Sequence, residues 1–280
     1  MTRLRFMHIP KTAGTTFTNI LERQYSGKGF VFKGYLPSDI ERFRALSEHD
    51  RNSIELFTGH APITSGIPEA DNATIITFFR EPVTRVKSFC QHVSEGKSAE
   101  LVRDFPPESF KLDEFLRSGN SQLSNLQTKF LVKQDIRDFP IETLPESEAK
   151  DIALDNLSQK VSCFGLQEYF DESLLLLATR FNWKMPIYIP ANRANRQRLI
   201  EFKEHHIERI AELNSIDIEL YKACKERFLN TIQSEEFDKA KLARFRIYKT
   251  LASYSIRAWG RVKRVRRRRT GKLFRSGAVS

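Results

Sequence analysis

Residues 73–79, ATIITFF, form a run of seven mostly β-branched or aromatic residues with little polar alternation. A strand of that composition is covered on both faces, so it belongs inside a parallel sheet with helices above and below, not at an edge. Other segments fit the same plan. RLRFMHI (3–9), FVF (30–32), IELFTGH (54–60), KVSCFGL (160–166) and IYIP (187–190) read as further strands, with KVSCFGL buried. Thr15 to Tyr25 reads as a helix with Phe17, Ile20 and Leu21 on one face. A second helix follows Pro82, which suits a first turn, with Val83, Val86, Phe89, Cys90 and Val93 as its stripe. LDEFLR, SNLQTKFLV, DESLLLLATRF (capped by Asp171) and residues 200–229 complete the helical set, the last broken near Asn214–Ser215. Strands alternating with helices imply an α/β fold.

The 280 residues suffice for one large domain or two small ones, and 40% hydrophobic with 29% charged residues is ordinary for a globular chain. The longest apolar run, LLLLA (174–178), is far short of a membrane span, and the first ten residues hold too little apolar sequence for a signal peptide. Cys90, Cys163 and Cys224 are odd in number and widely spaced, which predicts reduced core residues of a cytoplasmic protein and neither a disulfide frame nor a metal site. The net charge of +11 is local. Residues 241–280 hold fourteen Lys or Arg and no Asp or Glu, leaving residues 1–240 at −3. The expected division is a folded domain over 1–235 and a basic extension over 236–280.

Between the first strand and the first helix lies HIPKTAGTTF (8–17). A strand feeding a loop into a helix N-terminus makes an anion site, because backbone N–H groups and the helix dipole point at the same spot. Gly14 would let the backbone approach a phosphate, Lys11 supplies a full charge, and Thr12, Thr15 and Thr16 supply hydroxyls; Ala13 completes the loop. The order differs from the Walker loop, in which lysine follows the last glycine. Here Lys11 precedes Gly14 by three residues, and no apolar strand ends in an aspartate suited to holding Mg²⁺. Such a loop suits a sulfuryl-bearing nucleotide better than a metal-bound triphosphate. A second element, FFREPVTRVKSF (78–89), puts Arg80 at the carboxyl end of the strongest strand, where open α/β sheets bind ligands. A guanidinium there can grip a phosphate with two parallel bonds, and Ser88 lies two turns along the next helix.

Together these motifs resemble sulfotransferases that use 3′-phosphoadenosine 5′-phosphosulfate (PAPS), in the carbohydrate branch similar to heparan and uronyl 2-O-sulfotransferases. SNLQTKFL (124–131) and FGLQEYFDESL (164–174) are also similar to stretches of that family. The resemblance implies a P-loop-like central parallel sheet with helices on both faces; the composition of residues 241–280 adds a basic C-terminal helical tail. It implies PAPS as donor, no metal, and a carbohydrate or glycolipid acceptor. Lys11, Thr12, Ala13, Gly14, Thr15 and Thr16 would hold the 5′-phosphosulfate, and Arg80 and Ser88 the 3′-phosphate. Lys11 would also neutralise the leaving oxygen.

The acceptor hydroxyl needs a base near neutrality, which suits histidine. His60 ends a strand at the expected active edge, twenty residues before Arg80, as the catalytic histidine does in the resemblance. His8 is positional, His92 could approach the site, and His49, His205 and His206 read as solvated. Asn125, Gln127 and Lys129 could line the acceptor cleft; Asn192, Asn195 or Arg196 could close over the nucleotide. For the tail, an anionic membrane surface is the favoured partner, which would make the protein peripheral to the membrane. An acidic polysaccharide comes next, and nucleic acid is unlikely. The alternatives for the whole chain are a P-loop phosphotransferase and a non-catalytic nucleotide or anion-binding protein.

Overall fold

A computed structural model describes residues 3–25, 28–34, 36–132, 145–188, 199–234 and 236–252. Five parallel strands make the central sheet: β1 (Leu4–Met7), β2 (Lys28–Phe32), β3 (Ile54–Gly59), β4 (Thr74–Phe79) and β5 (Val161–Leu166), in the order β2-β3-β1-β4-β5. All strands run the same way, so their carboxyl ends meet along one edge. β1 occupies the centre, with β3 and β4 on either side.

The alternation along β1 and β4 shows why these sequences lack polar positions. Leu4 and Phe6 of β1, with Ile76 and Phe78 of β4, enter a core beneath one face; Met7, Ile75 and Phe79 enter a second core on the other. The first core is closed by α1 (Gly14–Gln24), through Phe17, Ile20 and Leu21, and by α9 (Phe170–Arg180). The second is closed by α7 (Leu126–Val132), α8 (Glu146–Gln159) and α11 (Ser215–Gln233). A third cluster joins β2 and β3 to α2 (Leu36–Arg44). α3 (Glu48–Asn52) leads into β3, and α4 (Pro68–Asp71) leads into β4. α5 (Pro82–Ser94), α6 (Leu112–Arg117) and α10 (Glu204–Leu213) make a fourth cluster beyond the carboxyl edge.

The expected P-loop-like parallel sheet with helices on both faces is therefore present. Several local expectations are corrected. KVSCFGL is an edge strand and only partly buried: Val161, Gly165 and Leu166 are buried, Cys163 and Phe164 are half-buried, and Ser162 is exposed. Ile187 and Tyr188 lie in no strand, and residues 189–190 fall outside the described residues. Asp171 does not cap α9, whose N-cap is Tyr169; it sits in the first turn and accepts a hydrogen bond from the Tyr188 hydroxyl at 2.9 Å. α8 has no sequence counterpart above because its buried stripe is Ala149, Ala153 and Leu157, two of them too small to stand out. Residues 239–252, in the basic extension, are helical, and Phe237, Leu242 and Phe245 are buried in the same core as α1 and α9. All three cysteines are unpaired, with Cys90 and Cys224 buried. Among the described residues no helix is long and apolar enough to cross a membrane.

Candidate functional site

The loop from β1 into α1 carries unusual backbone geometry. Lys11 and Ala13 both have φ near +70°, with Thr12 between them outside the positive range. Positive φ at a non-glycine residue costs on the order of 1–2 kcal/mol, and such strain persists where surrounding structure enforces it. Alternation of this kind turns successive N–H groups into one concavity, a nest for anions. Ala13 is the N-cap of α1 and no side chain caps the helix, so its dipole end opens onto the same concavity. Thr15 is exposed and Thr16 half-buried. Thr12 differs from expectation: its side chain is fully buried, and its hydroxyl donates to Ile9 O at 2.8 Å, bracing the loop from inside.

Gly14 also has another reason to be glycine. A Cβ there would lie 1.7 Å from Nε2 of His8. The His8 ring fills that space, stacked on Phe6 with centroids 5.3 Å apart. Burial, then the nearby His60 and Lys11, push His8 down to about 3, so it stays neutral. Its carbonyl accepts a hydrogen bond from Nδ1 of His60 at 2.8 Å, and the two rings lie 4.4 Å apart. A carbonyl can only accept, so Nδ1 of His60 carries the proton and Nε2 carries the lone pair. Burial holds the His60 pKa below the ordinary histidine value, which keeps that lone pair available near neutrality. Gly59 delivers His60 through φ +118°, and a side chain there would strike Phe32 O at 2.2 Å.

Arg5 fixes the turn beyond His60, and sequence reasoning missed it. This residue of β1 is 1% exposed, yet its guanidinium pairs with Asp71 at 2.7 Å and donates to the carbonyls of Ala61, Pro62 and Ile63. Asp71 in turn accepts from Ser65 N, Ser65 Oγ and Gly66 N. An arginine in an apolar strand with an aspartate elsewhere gave no local signal, because the partners stand 66 residues apart.

Arg80 leaves the end of β4 beside this loop, and its Nη1 donates to Lys11 O at 3.1 Å. Gln127 holds its backbone on both sides: Arg80 N donates to Oε1 at 2.8 Å, and Nε2 donates to Arg80 O at 2.9 Å. Ser88 is half-buried on α5, two turns further on. Arg85, also on α5, is fully buried and donates to Gln122 O at 2.6 Å; its Nε and Nη1 find no hydrogen-bond partner among the described residues. Lys11 stands within the field of Arg80, Lys97 and Arg85. Its pKa is pushed down to about 8, first by burial and then by Arg80 and Lys97, with Glu95 opposing. His92 is half-buried and feels Lys11 and Lys97, which places it at the same site. Cations held this close repel one another, and an anion set among them relieves the repulsion.

Other candidates are engaged in bonds within the body. Gln127 and Lys129 are 1% and 3% exposed. Lys129 Nζ donates to Ser124 Oγ at 2.8 Å. Asn125 N donates to Asn214 Oδ1 at 3.1 Å and its Oδ1 accepts from Asp217 N at 3.1 Å, which, with Gln127 N and Thr128 N donating to Asp217, ties the start of α7 to α11. His49 is exposed, but His206 is buried, so its solvated reading is corrected. His205, His206 and Asp113 come together, though Nδ1 of His206 accepts from Lys203 N at 3.1 Å, which leaves the proton on Nε2 facing Asp113 at 3.3 Å. Nε2 makes only that close approach to the carboxylate, without an aligned hydrogen bond, and a protonated Nε2 offers no lone pair to a metal. Asn192, Asn195 and Arg196 lie outside the described residues.

Comparison with known proteins gives a consistent result. Residues 57–249 match the model of the galactose-3-O-sulfotransferase family. A heparan-sulfate 6-O-sulfotransferase 2 from Gallus gallus is 24% identical over 270 residues, covering 81% of this chain and 67% of that protein. A heparan-sulfate 6-O-sulfotransferase 3 from Homo sapiens is 26% identical over 266 residues, covering 80% of this chain and 56% of that protein. The chain thus spans between about half and two thirds of these relatives. A mouse sulfotransferase crystallised with PAP aligns at a TM-score of 0.36 and 13% identity, over 79% of this chain and 65% of that one.

Proposed function

This chain belongs to the galactose-3-O-sulfotransferase family, and from that premise we propose that it transfers a sulfuryl group from PAPS to a hydroxyl of a carbohydrate. The observation that carries the proposal is the convergence at one sheet edge of Lys11 among like charges, Arg80 bonded to the Lys11 carbonyl, and His60 with the lone pair on Nε2. The nest at residues 11–13 and the N-terminus of α1 suit the 5′-phosphosulfate, with Thr15 and Thr16 at its rim. Arg80, with Ser88 on the following helix, suits the 3′-phosphate.

In this reading Nε2 of His60 takes the proton of the acceptor hydroxyl as its oxygen bonds to sulfur. The sulfur–oxygen bond to the 5′-phosphate breaks in line, and the Lys11 ammonium neutralises the charge that develops on the departing phosphate oxygen. The products are a sulfate ester and 3′,5′-adenosine bisphosphate. Positioning and electrostatics supply most of the rate, as in phosphoryl transfer. The relatives named for heparan sulfate and the family named for galactose support a sugar hydroxyl as the acceptor. The test is incubation with PAPS and a panel of galactose- and uronate-containing oligosaccharides, followed by mass spectrometry. Gain of one SO₃ by an oligosaccharide, abolished in His60→Ala, is the expected result. Hydrolysis of the donor with no sulfated sugar in any member would count against a carbohydrate acceptor.

A further inference from the structure

The 239–252 helix is amphipathic twice over. One face, Leu242, Phe245 and Lys249, turns to the body: Leu242 and Phe245 are buried, and Lys249 pairs with Asp171. Arg246 adds an ion pair to Glu172 at 2.6 Å. The helix runs antiparallel to α9, since Lys241 Nζ meets Thr179 Oγ1 at 3.3 Å near the far end of α9 while Lys249 reaches Asp171 in its first turn. Its last described turn therefore arrives at the carboxyl edge of the sheet, the edge that carries Lys11, His60 and Arg80.

The opposite face is Arg244, Ile247, Tyr248 and Leu251, spaced i, i+3, i+4, i+7, and all are exposed. Ile247, Tyr248 and Leu251 are 58%, 50% and 56% exposed. A helix fastened to a protein by one face ordinarily offers water a polar second face. Here three large apolar side chains point outward, flanked by cations. The chain continues through residues 253–280 with ten more Lys or Arg and no acidic residue, interleaved with Tyr254, Ile256, Trp259 and Val262. Apolar side chains that enter the headgroup boundary, with cations beside them, match the chemistry of an anionic lipid bilayer.

We propose that the outer face of the 239–252 helix is a docking surface for an anionic lipid bilayer. The ion pairs to Asp171 and Glu172 hold that surface in a fixed orientation relative to the anion loop, so docking sets the active edge against the membrane. The surface does not depend on the nucleotide chemistry, and its test is independent of sulfation.

The experiment is co-sedimentation of the full chain with vesicles of phosphatidylcholine alone and of phosphatidylcholine mixed with phosphatidylglycerol. The variants are Ile247→Glu/Leu251→Glu and, as a milder pair, Ile247→Ser/Leu251→Ser. Circular dichroism and bisphosphate binding confirm that each variant is folded. Binding to the mixed vesicles at least about tenfold tighter than to phosphatidylcholine alone, lost in the glutamate pair and weakened in the serine pair, is expected. Equal binding to both vesicles, no binding to either, or full retention in a folded glutamate pair overturns the proposal. So does capture by a soluble sulfated polysaccharide with the vesicles ignored, since that would assign the charge to a glycan.

Discussion

Two helices begin beside one another at the carboxyl edge, and their first turns are treated in opposite ways. α1 follows β1 and has alanine as its N-cap, with no capping side chain and two strained residues just before it. α5 follows the neighbouring β4 and is filled by its own carboxylate: Glu81 accepts from Val83 N at 3.0 Å and Thr84 N at 2.7 Å. Position in the fold alone therefore does not make an anion site. In the proposed site the α1 backbone would be the binding group; at α5 the dipole is already satisfied by Glu81, which leaves the Arg80 side chain to contribute charge. One motif would act through N–H groups and the other through a guanidinium, although both read as strand, short loop and helix.

The largest expected effect separates chemistry from binding. His60→Ala should lower kcat by about 10²–10⁴-fold, the usual span for a lost general base, while bisphosphate affinity measured by calorimetry changes only a few-fold. Equal losses in both would assign His60 a structural part. Arg80→Ala should weaken the bisphosphate by about ten- to a hundredfold, the equivalent of roughly 1.5–3 kcal/mol for a bond to a charged group; it also removes the tether to Lys11 O, so filter-binding or calorimetry should show α1 and α5 acting as one site. Next is proton linkage. Lys11 is held at about 8 by burial and by Arg80 and Lys97. A bound anion raises that pKa, so binding near pH 8 should take up protons, and affinity should fall as pH rises further. Titrations in buffers of different ionisation enthalpy would read the uptake directly, and none would mean that Lys11 does not face the ligand. The smallest effects contrast the two caps. Glu81→Gln should cost about 1 kcal/mol of stability as a weakened cap and leave or improve bisphosphate binding. Ala13→Gly should gain up to about 1 kcal/mol by relieving positive φ. Chemical denaturation measures both, and reversed signs would undo the comparison.

What was legible in the sequence was local. The continuous apolar run of β4, the P-K-T-A-G-T-T order after β1, the arginine at a strand end and the helix break at Asn214 each announce themselves within a dozen residues. What was hidden depends on distant partners. Gly14 reads as room for phosphate until the His8 ring is found in its Cβ position. Gln127 lies in a stretch similar to the family and reads as a cleft residue, yet it is a bracket for Arg80, 47 residues away, and its backbone N–H is held by Asp217, 90 residues away. Arg5 holds the turn after His60 through Asp71 and three carbonyls that no periodicity reveals. The break in composition near residue 236 follows charge, whereas burial of Phe237, Leu242 and Phe245 carries the packed body past it.

The central claim is that the α1 loop and Arg80 form one metal-independent site for a nucleotide bearing 5′- and 3′-phosphates. Calorimetric titration of the intact chain with 3′,5′-adenosine bisphosphate in the presence of chelator, beside ATP with Mg²⁺, tests it most directly. Binding at micromolar concentration or tighter, weakened about ten- to a hundredfold in Arg80→Ala and absent for Mg-ATP, is the predicted result. Preference for Mg-ATP, or indifference to both nucleotides, would contradict the account.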